Sequence, residues 1–216
     1  MSEPEPGWVE RELALEFPAL GLASLALAAP QGRARRTDPG VAARLRALSD
    51  RFGGRRAVTL RQEPVPAAFR VFFRHVGLDP DEQRTPVEEA VVERLLRGEF
   101  ASPGRVEDAL LLAVVETGVP VLALDDERLD GPLGLRAARR GERLGEGPLA
   151  PDLPDGRLVI ADARRPVAVL FGDVAPSLRP EGGCRRLRLV AVRAPGVPSV
   201  HVEEALWTAA EVLRAG

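Results

Sequence analysis

The sequence predicts an α+β fold in one domain spanning residues 1–216. Three observations carry this. Capped, amphipathic helical patterns crowd the first half of the chain, short apolar strand patterns crowd the second, and no regular βαβ alternation joins them. A chain of 216 residues can bury a core without disulfides or metals. Its 45% hydrophobic and 29% charged residues are globular proportions, which excludes a disordered chain.

Taken in order, Val9, Leu13, Leu15 and Phe17 roughly alternate with charged residues, which predicts an early strand. Leu20 to Ala29 is a more buried strand, followed by a basic turn from Gln31 to Arg36. Asp38-Pro39 supplies an N-cap and a first-turn proline, and Val41, Leu45, Leu48 and Phe52 share one face of the helix that follows. Gly53-Gly54 ends it.

Ala57 to Leu60 reads as a short strand, and Ala67 to Val76 as a helix carrying Phe69, Phe72 and Phe73. Asp79-Pro80-Asp81 is a turn. Thr85-Pro86-Val87-Glu88 is a capping box that opens a helix closed at Gly98. Val106 to Thr117 is apolar nearly all round, hence a buried helix, stopped by Gly118 and Pro120.

Val121 to Leu124 and Leu133 to Ala138 are strands separated by acidic turns. Leu158 to Ala161 and Val167 to Phe171 form a hairpin around Asp162 to Pro166. Leu187 to Val192 is the last strand, and Ser199 caps a final helix facing Val202, Leu206, Ala209 and Leu213 inward.

Charge and composition limit the chemistry. The net charge is −2, so no overall positive field favours nucleic acid, and an RNA contact needs a local patch. All 30 basic side chains are arginine, so no lysine is available as an amine nucleophile or base, and arginine also does the surface work lysine does elsewhere. Cys184 is the single cysteine, which rules out a disulfide within the chain and a cysteine zinc site, and fits a cytoplasmic setting.

His75 and His201 are far apart, without partners at metal-ligand spacing, and Gly182-Gly183 lacks the spacing and lysine of a phosphate loop. No metal and no cofactor is therefore expected. The acidic start (Glu3, Glu5, Glu10) lacks the basic region of a signal peptide, and Pro18 to Pro30 is too short to span a membrane.

From Ser102 to Leu144 every local signal agrees, and there the chain resembles the B3/B4 domain of the phenylalanyl-tRNA synthetase β subunit. The matching positions are Asp108 in the buried helix, Glu116, Gly118 and Pro120 at its end, Asp125, Gly131, Arg136, Ala138, Gly141 and Glu142. The later hairpin, Leu158 to Asp173, is similar as well. Upstream, Phe72 to Pro80 and Arg84, Thr85, Pro86, Glu89 and Ala90 look like free-standing proteins that carry this domain alone.

The resemblance implies a β-sandwich-like core with packed helices, and tRNA or aminoacyl-tRNA as partner. In the synthetase the domain hydrolyses tyrosine wrongly attached to tRNA, through a Thr-Asn pair, a His and a Glu. Those positions correspond here to Leu110, Leu111, Leu122 and approximately Val190, all apolar. Water orientation and recognition of a phenol need hydrogen-bonding groups.

The expected function is thus a B3/B4-like module that binds tRNA or aminoacyl-tRNA without the usual editing residues. Its RNA contact would be Arg136, Arg139, Arg140 and Arg143. Its pocket would be Arg84, Glu89, Asp108, Leu110, Leu111 and Leu122. The alternatives are a stand-alone hydrolase of mischarged tRNA working through Arg84, Glu89 and Asp108, and a binder of an apolar, amino-acid-like molecule.

Overall fold

The computed structural model describes residues 3–30, 38–100, 104–147, 150–181 and 183–215. The α+β class is as expected. The chain divides into two compact units: Met1–Ala29 with Leu122–Pro195, and Pro30–Val121 with Gly196–Gly216.

The first unit holds two four-stranded sheets, and its opening segment contributes to both. β1 (Glu5–Pro6) pairs antiparallel with β3 (Gly21–Ala28), while β2 (Trp8–Val9) pairs parallel with β5 (Gly134–Ala137). Gly7 sits at the crossing. A Cβ there would lie 2.5 Å from Leu22 and 2.6 Å from the Leu133 carbonyl, so only glycine lets the chain pass between the two sheets. The sheet orders are β1-β3-β8-β4 and β2-β5-β6-β7, with β4 at Val121–Asp125, β6 at Leu158–Ala161, β7 at Pro166–Val169 and β8 at Arg186–Arg193.

β3 and β8 form the longest ladder, from Gly21 opposite Arg193 to Ala28 opposite Arg186. The expected hairpin is present as β6–β7. Its turn is held by Asp162, buried at 3% exposure, which accepts from the N–H groups of Asp130, Arg164 and Arg165. A carboxylate that satisfies three backbone donors needs no further partner to be kept inside.

One strand expectation fails in this unit. Residues Arg11–Glu16 form a short helix, α1, rather than an early strand. Leu13 is buried while Leu15 is 73% exposed, so the alternation does not mark one inward face. Arg, Glu, Leu and Ala are all strong helix formers, and over six residues that preference wins.

The second unit is helical: α2 (Pro39–Arg51), α3 (Gly54–Thr59), α4 (Pro64–His75), α5 (Pro86–Arg97), α6 (Arg105–Thr117) and α7 (Ser199–Ala215). The Asp38 carboxylate accepts from the N–H groups of Gly40 and Val41, as its cap position requires. Glu88 accepts from both the N–H and the hydroxyl of Thr85 at the start of α5. Gly98 and Gly118 close α5 and α6 in the left-handed conformation.

The strand expected at Ala57 to Leu60 is instead the end of α3 and the start of a 3-10 turn at Leu60–Gln62, with Val58 facing solvent and Leu60 buried. Gly53 serves as the N-cap of α3, so the Gly pair restarts a helix instead of ending one. Ser199 is the first residue of α7 rather than the residue before it. The expected basic turn from Gln31 to Arg36 lies outside the described residues.

Packing in this unit is tied by two polar anchors. Arg70, 8% exposed on α4, reaches the Pro80 carbonyl, Asp81 and Glu88, fixing the turn ahead of α5. Ser49 on α2 accepts from the Phe100 N–H, and Arg94 donates to the Ser49 carbonyl. α7 packs along α6, whose Ala109, Leu112 and Ala113 are wholly buried.

Candidate functional site

The arginine group expected to meet RNA divides into two kinds. Arg136, on β5, is 7% exposed, and its guanidinium forks onto Glu142 at 2.6 and 2.9 Å and donates to the Ala137 carbonyl. It is an internal anchor. Glu142 also accepts from the Arg139 N–H at 2.7 Å, so one carboxylate closes the turn from Ala138 to Glu142. The Arg136 hydrogen bonds, with the Arg139 N–H and both arginine charges behind them, hold the Glu142 carboxyl below the usual glutamate range.

Arg143 pairs with Asp152 at 3.2 Å and reaches the Gly147 carbonyl. Arg139 and Arg140 differ: both are exposed on the turn, and neither guanidinium has an ion-pair partner among the described residues. Of the four, these two guanidinium groups are the ones left to face solvent without an ion pair among the described residues. Nearby in sequence to the hairpin turn, Arg164 pairs with Asp130 and Glu146, and Arg165 pairs with Glu146.

The second basic group is neutralised. Arg185 pairs with Glu127, Arg186 with Asp126, and Arg188 with both Asp126 and Glu5. These acids stand on the 3-10 turn Asp126–Arg128 and on β1, distant in sequence, which is why the sequence shows only the basic half. With Arg185 and Arg186 committed to these acids, neither is free to depress the pKa of the Cys184 thiol beside them. Burial and the neighbouring Asp125 push its pKa up instead.

The expected pocket residues are placed as follows. Arg84 and Glu89 are exposed at and near the start of α5. Asp108 is 1% exposed in the first turn of α6, where a carboxylate is favoured by the helix dipole. Leu110 and Leu111 are half-buried on α6, and Leu122 is half-buried on β4. Val190, the remaining position of the implied editing set, is buried at 1% in β8.

A pocket that sequence reasoning missed lies within the helical unit. It has a volume of about 330 Å³ and is an open cleft lined by the end of α3, the start of α4, the last turn of α6 and the first turns of α7. Leu60, Val65, Pro66 and Val115 give it apolar walls, and Glu63, Glu116, Glu204, Arg56 and His201 its polar groups. Gly118 is the only local signal that pointed there, and it was legible as a helix stop alone. Among the described residues no group of three or more His, Cys, Asp or Glu is arranged to hold a metal, and no helix is long and apolar enough to cross a membrane.

No known family profile matches the chain. Curated relatives do. The chain is 39% identical over 95 residues to the phenylalanine–tRNA ligase β subunit of Xanthomonas oryzae, a match covering 43% of this chain and 12% of that protein. The β subunit of Xanthomonas euvesicatoria is 38% identical over 101 residues, and that of Xanthomonas campestris 39% over 95, with the same coverage. The match therefore spans about an eighth of the length of these relatives. Such a segment, together with the mixed helix-and-sheet architecture, makes this chain similar to the B3/B4 portion of the phenylalanine–tRNA ligase β subunit.

Proposed function

We propose that this chain is a B3/B4-like module of the translation apparatus that binds tRNA or aminoacyl-tRNA without the family's usual editing hydrolysis, in the cytoplasm. The observation that supports it, beside the similarity to the ligase subunit, is the turn carrying Arg139 and Arg140. Two exposed guanidinium groups, without an ion-pair partner among the described residues, stand on a turn clamped by the Arg136–Glu142 fork. Rigid presentation lowers the ordering cost of a phosphate contact, and arginine suits phosphate geometry. Arg136 and Arg143 are committed to Glu142 and Asp152, so the proposed contact narrows to Arg139 and Arg140.

The test is binding of bulk tRNA at low salt by the unmodified protein and by an Arg139→Glu/Arg140→Glu variant. Equal binding by both sinks the reading. The hydrolytic alternative is checked in the same preparation: release of amino acid from mischarged tRNA at a rate lost in Asp108→Asn would replace the binding reading with an enzyme.

A further inference from the structure

The pocket of the helical unit is acceptor-rich over apolar walls. The last turn of any helix leaves carbonyls without intrahelical donors, and its dipole is negative there. Val115, Glu116 and Thr117 bring that end of α6 to the pocket. Opposite stands the start of α4, where Pro64 and Pro66 have no N–H to offer, so this helix start supplies few donors to an anion. The Thr117 hydroxyl is committed: it donates to the Ala113 carbonyl and accepts from the Val119 N–H.

The three carboxylates are not equivalent. Glu116 is clamped by Arg44 through two contacts, at 2.8 and 2.5 Å. Glu63 keeps only a loose ion pair with Arg56, 3.7 Å away and beyond hydrogen-bond range, while the same guanidinium also lies over the Phe52 ring at 4.5 Å. Glu204 is 3.4 Å from His201 Nδ1. Glu63 and Glu204 thus keep acceptor capacity at the rim, and Leu60, Val65, Pro66 and Val115 offer a surface for an apolar body. A volume of about 330 Å³ falls in the range of small-ligand sites.

We infer that this pocket binds a small organic ammonium with an apolar stem, its charged head between Glu63, Glu204 and the carbonyl end of α6. The site is independent of the RNA-binding reading, and its test contains no nucleic acid. Full-length protein is titrated with 2-phenylethylamine and, separately, with 3-phenylpropionate, a similar stem bearing the opposite charge, by calorimetry and by methyl NMR. The expected result is saturable binding of the amine that shifts the Val65 and Val115 methyls, no binding of the carboxylate, and roughly tenfold weaker amine binding in Glu63→Gln/Glu204→Gln. Glu204 is exposed and Glu63 half-exposed, and among the described residues neither carboxylate makes a hydrogen bond shorter than 3.4 Å that the variant would break, so that variant keeps its fold. Equal binding of the carboxylate, unchanged affinity in the variant, or amine binding that leaves those methyls unmoved overturns the inference.

Discussion

Replacing Glu142 separates structure from charge at the arginine turn. Its carboxylate takes both arms of Arg136 and the Arg139 N–H, and the Arg136 side chain is 8% exposed. Removing one partner of a buried pair costs about 3–5 kcal/mol, and because Glu142 itself is 22% exposed the lower end applies to Glu142→Ala, roughly 3 kcal/mol. Glu142→Gln keeps an acceptor but loses the charge assistance, so about half of that remains lost. Urea unfolding reads both values.

The same variants test the turn. Deleting a negative charge beside Arg139 and Arg140 would by field alone strengthen tRNA binding. Loosening the turn predicts the opposite sign, weaker binding for Glu142→Gln than for the unmodified protein. A Glu142→Gln protein with an unchanged urea midpoint and tighter tRNA binding would refute the anchoring argument. The pH dependence has a fixed sign as well. The folded-state pKa of Glu142 is depressed, so its contribution is complete above the unfolded value of about 4.3 and is lost as pH falls through the lower folded value. Between those values the unmodified protein loses stability more steeply than Glu142→Gln.

Three further outcomes follow from local geometry. A Cβ on Gly134 would lie 2.0 Å from the Trp8 ring, so Gly134→Ala must expel Trp8 and break its bond to the Pro132 carbonyl; a loss of about 1–3 kcal/mol and a red-shifted Trp8 emission, read in a Trp207→Phe background, are expected. Gly118→Ala, at φ +76° with Pro66 and Val65 each 3.2 Å from the new Cβ, lowers stability by about 1–2 kcal/mol, measured as a drop in melting temperature. Cys184, its thiol pKa raised by burial and Asp125, reacts with iodoacetamide more slowly than free cysteine at pH 8; faster reaction would contradict both that burial and the commitment of Arg185 and Arg186 to their acids.

The sequence disclosed most where a rule acts within a few residues. The Asp38 cap, the Thr85–Glu88 box and the Gly98 and Gly118 stops are local devices, and each stands where its residues indicated. Six residues at α1 misled because alternation and helix propensity conflict over so short a span. The candidate site was less legible. Arg136 looks like its exposed neighbours until its strand is placed and Glu142 folds back onto it. Arg185, Arg186 and Arg188 find their acids 58 to 183 residues away, and the helical pocket gathers the ends of four helices. Such pairings depend on tertiary contact and leave no periodic trace.

The most direct test of the central claim is filter binding of bulk tRNA across a salt series, with unmodified protein and with Arg139→Glu/Arg140→Glu. Expected are saturable binding by the unmodified protein, weaker binding by the variant at every salt concentration, and a log–log salt slope shallower by about 2, one for each lost phosphate contact. Binding that is absent at low salt, or identical in affinity and slope for the two proteins, would contradict that claim.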